Sequence, residues 1–176
     1  MITWWRAYTA RNGADLDNNP SPGNKKGGLT TILEKSLGAV AKGGLSPLAG
    51  AFAYAEPIRI PGLVYLDSPG YDPVAATGQV ASGANLIAFT TGRGSCFGAK
   101  PAPSIKLASN SDLFRRMPED MDMDCGVVVE QGVSLETMGQ QIYDLLLETA
   151  SGKKTKSEEF GYGDNEFVPW KIGAVL

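Results

Sequence analysis

Short apolar runs alternate with polar, glycine-rich loops through the middle of the chain, from Leu63 to Gly98. Two of these runs, LVYLD and NLIAFTTG, are too short for free-standing helices, so we interpret them as buried strands over Leu63–Asp67 and Asn85–Thr91. A third apolar-leaning run predicts a strand over Ser104–Ala108. The pattern therefore predicts several short strands.

Apolar residues at three-and-four spacing predict a helix that begins at Leu29 and ends at Gly43 and Gly44. The predicted buried face of this helix consists of Leu29, Ile32, Leu33, Leu37 and Val40. Further helices are predicted from Pro73 to about Ser82, with Asp72 as the N-cap, and over Asp112–Met117.

The clearest helix signal lies near the C-terminus, where Ser134 is the predicted N-cap and Gly152 the predicted end. Its predicted buried face consists of Leu135, Met138, Ile142, Leu145 and Leu146. Because strands and helices alternate along the chain, the sequence predicts an α/β fold with a mostly parallel, Rossmann-like sheet flanked by helices.

The chain has 176 residues, which is the usual size of one domain, but it opens on a segment with no long helix or strand pattern. We therefore predict a single fragment of a larger domain. It consists of a lead-in loop over residues 1–28, an α/β core over 29–152, and a tail over 153–176 that docks on the body or on a partner chain.

The formal net charge is −3, which gives no electrostatic reason to expect nucleic acid or an anionic membrane as a partner. No apolar run approaches the roughly 20 residues that span a bilayer, and the N-terminus lacks a basic-then-apolar signal pattern. We predict a soluble, cytoplasmic protein.

The chain contains no histidine and two cysteines, Cys96 and Cys125. The absence of histidine excludes Ser-His-Asp and Cys-His sites and leaves acid–base work to Lys, Asp, Glu, Tyr or Cys. Any metal held by this chain alone needs oxygen or thiolate ligands.

Two polar loops, DSPGYDP and GRGSCFG, follow two of the predicted strands. In open parallel sheets the ligand crevice lies beyond the carboxyl ends of the strands, so these loops predict a site for an anion. The groups that would face it are Asp67, Ser68, Tyr71, Asp72 and Thr77 in or after the first loop, and Thr90, Thr91, Arg93, Ser95 and Cys96 in or before the second. A dinucleotide loop is disfavoured, because Phe97 occupies the place of the third glycine.

Three local patterns leave alternatives open. Arg93, between two glycines, either clamps a carboxylate or anchors the structure. Lys25 and Lys26 either face an anionic ligand or are solvated loop residues. The run Met121–Asp124 is strand-like, and its two carboxylates either bind a cation or do acid–base work, or they lie at a solvated strand edge.

Four runs, in order, resemble the altronate dehydratase / galactarate dehydratase family, of which a sulfolactate sulfo-lyase is a sister branch. They are NPSPGNKKGGLTTILEKSLGAVAKGG, DSPGYDPVAATGQVASGANLIAFTTGRGS, PAPSIKLASNS and GYGDNEFVPWKIGAVL. The resemblance corresponds to the C-terminal part of the family's large domain. It implies dehydration of a sugar-acid anion to a 2-keto-3-deoxy acid, with D-altronate as the first candidate substrate. It also implies Fe²⁺ or another divalent metal as the cofactor.

For that chemistry we assign the substrate carboxylate to Arg93 and the Gly92, Gly94 and Ser95 backbone, and the substrate hydroxyls to Thr90 and Thr91. Lys25, Lys26 and Lys35 are the candidate bases or anion contacts, and Asn24 is placed with the substrate-binding residues. Asp72 is a candidate acid or base, and Asp67 and Asp124 are candidate metal ligands.

The partners implied are the substrate, the upstream half of the domain and further copies of the chain. The alternative functions are galactarate dehydratase, sulfolactate sulfo-lyase, and a non-catalytic module that binds sugar acids or seals an assembly.

Overall fold

The computed structural model describes residues 1–14 and 20–171. It has an α/β fold in which every strand pair is parallel, as predicted. The strands form two separate sheets, of order β1-β2 and β3-β4-β5, so the Rossmann-like arrangement is not confirmed. The chain divides into two compact units, Met1–Ser82 with Pro169–Leu176, and Gly83–Val168.

The described residues of the first unit form four helices and the two-stranded sheet. In chain order these are α1 (Ile2–Arg11), α2 (Pro22–Lys26), α3 (Ile32–Lys42), β1 (Leu48–Phe52), β2 (Leu63–Leu66) and α4 (Asp72–Ala81). Strand β1 lies in a Pro/Ala/Tyr-rich stretch for which the sequence predicted no element.

The prediction of a loop over residues 1–28 is wrong where α1 and α2 form. Helix α1 has no side-chain N-cap and instead packs an aromatic cluster, in which Trp4 stacks on Tyr8 at 4.9 Å and Trp5 on Trp170 at 5.5 Å between ring centroids. The contact between Trp5 and Trp170 joins residues more than 150 positions apart, so no local pattern reports it. Residues 15–19 of the predicted loop, and the predicted tail from residue 172 onward, lie outside the described residues.

Helix α3 begins at Ile32 rather than at Leu29, because Thr31 is its N-cap and accepts a hydrogen bond from the backbone N–H of Glu34 at 3.2 Å. Its predicted buried face is exposed, with Leu33 at 65% and Val40 at 74%. Helix α4, by contrast, begins one residue earlier than predicted. Tyr71 is at the N-cap position and Asp72 lies in the first turn, so the predicted Asp72 cap is wrong.

The second unit contains the three-stranded sheet and four further helices. In chain order these are β3 (Ile87–Thr91), β4 (Ser104–Ala108), α5 (Ser111–Arg116), β5 (Met123–Asp124), α6 (Val127–Glu130), α7 (Leu135–Ala150) and α8 (Lys156–Glu159). All five residues of the central strand β4 are buried. Ala108 of β4 packs with Leu113 and Met121 in the core of this unit.

The predicted caps of α7 are confirmed. The Ser134 hydroxyl accepts a hydrogen bond from the backbone N–H of Thr137 at 3.1 Å, and Gly152 follows the helix at φ +105°. Its predicted buried face holds for Met138, which is 5% exposed, but fails for Leu135, which is 74% exposed in the first turn.

The predicted strand over Met121–Asp124 is too long, because β5 covers only Met123 and Asp124. The backbone N–H of Met121 instead closes a turn on the carbonyl of Met117. Within the described residues, no helix has the length and apolar character needed to cross a membrane.

Candidate functional site

The carboxyl ends of the three strands in the second unit lie side by side. Thr91 at the end of β3 pairs with Ala108 at the end of β4, and Ala108 pairs with Asp124 at the end of β5. The segments that follow, Gly92–Ser95, Ser109–Ser111 and Cys125–Gly126, therefore start from one edge of the sheet. This is the edge at which open parallel sheets bind ligands.

Hydrogen bonds connect these segments. The Asn110 side chain caps α5, accepting from the backbone N–H of Leu113 at 2.8 Å, and donates to the carbonyl of Gly92 at 3.0 Å. The Thr91 hydroxyl accepts from the backbone N–H of Gly94 at 3.0 Å. One asparagine thus ties the loop after β3 to the loop after β4.

Asp124 holds the third segment in place. One oxygen of its carboxylate accepts hydrogen bonds from the Ser111 hydroxyl at 3.0 Å and from the backbone N–H of Gly126 at 2.8 Å. The residue that we predicted as a metal ligand therefore joins the start of α5 to the end of β5.

Arg93 lies at this edge with an exposed side chain. Among the described residues its guanidinium has no hydrogen-bond or ion-pair partner, while its backbone carbonyl accepts from Arg116 Nη2 at 3.1 Å. A structural anchor for the Arg93 guanidinium is therefore absent from residues 1–14 and 20–171, and two guanidinium groups lie close to the same loop. Such a loop offers charge-assisted hydrogen bonds to a carboxylate.

The loop then folds back over β4. A Cβ on Gly94 would lie 2.2 Å from Met117 Sδ and 3.0 Å from Leu113 Cδ1, so the loop rests directly on the core around Ala108. Further along, the backbone N–H of Ala99 donates to the Ser104 hydroxyl at 3.3 Å. We call residues Gly92–Lys100 the return segment.

Lys106, in the middle of β4, was missed by the sequence reasoning. It is fully buried, at 0% exposure, and its amine has no hydrogen-bond partner among the described residues. Burial lowers the pKa of this amine, and the electrostatic influence of the nearby Asp120, Asp122, Cys96 and Glu166 side chains opposes part of that lowering. A lysine at the centre of an apolar predicted strand was the signal that would have identified it.

The predicted residues of the first unit form smaller groups. Lys35 is half-buried and its amine donates to Asn24 Oδ1 at 3.2 Å, so these two are together. The side chain of Asn24 also completes the capping box of Ser21 at the start of α2. Lys25 and Lys26 are exposed on α2.

Asp67 follows β2 and is 9% exposed. The Trp5 indole N–H lies 2.8 Å from one of its carboxylate oxygens and 3.0 Å from the other. Asp72 is exposed in the first turn of α4.

A divalent metal does not fit the described residues as they stand. They contain no group of three or more His, Cys, Asp or Glu side chains placed to hold one. Asp67 is hydrogen-bonded to Trp5, and one oxygen of Asp124 is held by two donors. Burial and the neighbouring Asp124 charge raise the pKa of the Cys125 thiol, which disfavours the thiolate that binds metals.

Comparison with known protein families and proteins finds similarity over nearly the whole chain. The family described as D-galactarate/Altronate dehydratase, C-terminal, matches residues 1–175. The chain belongs to this family. Altronate dehydratase of Bacillus subtilis (strain 168) is 34% identical over 176 residues, which are 100% of this chain and 35% of the relative.

Two further relatives of the chain are named for other substrates. Galactarate dehydratase (L-threo-forming) of Escherichia coli (strain K12) is 38% identical over 161 residues, 91% of this chain and 31% of the relative. The (2R)-sulfolactate sulfo-lyase subunit beta of Chromohalobacter salexigens is 37% identical over 153 residues, 86% of this chain and 39% of the relative. The chain thus spans about a third of the length of the relatives it matches.

Proposed function

We propose that the protein is a lyase that removes water from a sugar-acid anion, D-altronate first among the candidates, to give a 2-keto-3-deoxy acid. The proposal depends on one observation at the carboxyl edge of the second unit. There a hydrogen bond joins the Gly92–Ser95 loop to the Ser109–Ser111 loop. The Arg93 guanidinium at this edge has no partner in the described residues. Family membership supports the reaction class.

In this proposal Arg93 binds the substrate carboxylate with the Gly92, Gly94 and Ser95 backbone, and Thr90 and Thr91 contact the hydroxyl groups. Thr90 is exposed and Thr91 half-exposed, so both are accessible at the loop. A substrate held in this way has its acidic C–H beside the bound carboxylate, and a lysine is the natural base in a chain without histidine.

Several assignments stay predictions. Lys25, Lys26 and Lys35 remain candidate bases, and Asp72 a candidate acid or base. Fe²⁺ or another divalent metal remains the predicted cofactor, although the described residues by themselves do not form a site for one. The remaining length of the relatives suggests an upstream part of the domain as a partner, and a homo-oligomer is also expected.

The choice of substrate is tested with a coupled keto-acid assay on the complete protein. Altronate, galactarate and sulfolactate are compared, each with Fe²⁺ under reducing conditions and after chelation. Turnover of altronate is the expected result. Turnover of galactarate or sulfolactate alone would change the substrate, and turnover of none would favour a non-catalytic sugar-acid binding or assembly module.

Arg93→Ala tests the carboxylate clamp. We expect kcat/KM to fall by about 10²-fold or more, which is about 2.7 kcal/mol, because the charge-assisted hydrogen bonds to the carboxylate are lost. Arg59→Ala is the matched control, since Arg59 is exposed and its guanidinium has no hydrogen-bond or ion-pair partner in the described part of the chain. An unchanged kcat/KM in Arg93→Ala would remove Arg93 from the site.

A further inference from the structure

Lys106 is an ionisable residue whose burial is not explained by any hydrogen bond of its amine to the described part of the chain. Its side chain is fully buried, and its amine has no hydrogen-bond partner within residues 1–14 and 20–171. A buried ammonium without a partner is costly, and most buried polar groups in proteins are hydrogen-bonded. Ionisable groups whose pKa is shifted by burial are found preferentially at functional sites.

The position of Lys106 connects it to the return segment. Ser104, Lys106 and Ala108 share one face of β4, because alternate residues of a strand point the same way. The return segment is held to that face at both ends: Gly94 lies against Leu113 and Met117 beside Ala108, and Ala99 donates to Ser104. Lys106 lies between these two positions on the same face, and Cys96 of the return segment is close enough to act electrostatically on its amine.

The charges around the amine are near it but do not pair with it. The carboxylate of Asp122 is used elsewhere, since it accepts from the backbone N–H of Lys106 at 2.7 Å and from that of Lys156 at 2.7 Å. The other ionisable side chains that act electrostatically on the amine are those of Asp120, Cys96 and Glu166. Burial, the larger effect, lowers the pKa of the amine and so favours the neutral form, which is a base.

We propose that Lys106 is the general base of the elimination, reached by the substrate when the return segment moves off β4. This inference rests on the proposed function. The amine lone pair forms the new N–H bond to the proton of the carbon beside the carboxylate, and the C–H electron pair enters an enediolate. The neighbouring C–O bond then breaks, the lysine ammonium gives its proton to the departing hydroxyl as water, and the enol tautomerises to the 2-keto acid.

The test uses Lys106→Met in the complete protein, because methionine keeps the length of the side chain without the amine. We expect kcat/KM to fall by about 10²- to 10⁴-fold, the usual contribution of a positioned base. Lys154→Met, on an exposed lysine, is the matched control and is expected to retain activity. Lys106→Ala should regain part of the lost rate when ethylamine is added, which a structural role would not produce.

Activity retained in Lys106→Met would overturn the inference. So would a folded Lys106→Ala, with an unchanged circular-dichroism spectrum, that ethylamine fails to rescue. A loss of activity in Lys35→Met together with retention in Lys106→Met would move the base to Lys35.

A measurement without substrate separates this inference from the proposed function. In protein labelled with [¹³Cε]lysine, the resonance that disappears in Lys106→Met is expected to titrate below the ordinary lysine range. If the Lys106 resonance titrated in the ordinary lysine range while the wild-type protein turned over a substrate, only the Lys106 inference would be overturned. If the Lys106 resonance titrated below the ordinary lysine range but none of the three substrates were turned over, the proposed function would be overturned. The role of Lys106 as its base would then be overturned as well.

Discussion

Gly126 lets two backbone segments meet at the carboxyl edge of the second unit. A Cβ on this residue would lie 2.1 Å from the backbone nitrogen of Ser111 and 2.5 Å from the carbonyl carbon of Asn110. Because both atoms belong to the main chain, neither can rotate away. We expect Gly126→Ala to lower the free energy of unfolding by about 3 kcal/mol or more, measured by urea denaturation.

Gly139 provides the control for this substitution. It lies inside α7, and a Cβ there would meet nothing within 4 Å. Gly139→Ala is therefore expected to raise stability by about 0.5–1 kcal/mol, as alanine does inside helices. If Gly126→Ala proved as harmless as Gly139→Ala, the close approach at Ser111 would be contradicted.

The caps of α5 and α7 differ in what they hold. Asn110 caps α5 and also donates a hydrogen bond to the carbonyl of Gly92, in another loop. The Ser134 hydroxyl caps α7, and its further contact, with the Thr137 hydroxyl at 3.0 Å, lies within the first turn of the same helix. We expect Ser134→Ala to cost about 1 kcal/mol and Asn110→Ala about 1 kcal/mol more, because the second variant also loses the bond between the two loops. Urea denaturation of both variants measures the difference. Equal costs would mean that the Asn110–Gly92 bond adds no stability.

The stability of the whole molecule is expected to depend on pH through Lys106. Burial gives this amine a lower pKa in the folded state than in the unfolded chain, where it is about 10.4. Between those two values the unfolded state binds more protons, so the contribution of Lys106 to stability rises with pH and falls as the solution is acidified. Lys106→Met removes this contribution.

The variant is therefore expected to gain stability over wild type, and the gain should shrink as the pH rises through the window between the folded and the unfolded pKa. Urea denaturation at several pH values, with Lys154→Met as the control, measures the change. A difference between Lys106→Met and wild type that is independent of pH across this range would show that the amine titrates normally.

Much of the second unit was predictable because its signals are local. The strand over Ser104–Ala108 and the cap and end of α7 follow from runs and capping residues a few positions apart. Where local signals were weak, the predictions failed: α1 depends on the aromatic cluster with Trp170, and the apolar face of α3 gave no information about what covers it.

The sequence by itself determined the α/β class, the parallel strands, the family and a polar loop around Arg93, since periodicity, capping and motifs are properties of neighbouring residues. Tertiary structure alone decided that Thr91, Ala108 and Asp124 share one sheet edge, and that Asp67 is held by Trp5 and Asp124 by Ser111 and Gly126. It also buried the amine of Lys106 without a hydrogen-bond partner among the described residues, on the strand whose Ser104 accepts a hydrogen bond from the return segment. Strand order and burial bring together residues far apart in the chain, and no spacing along the sequence encodes that proximity.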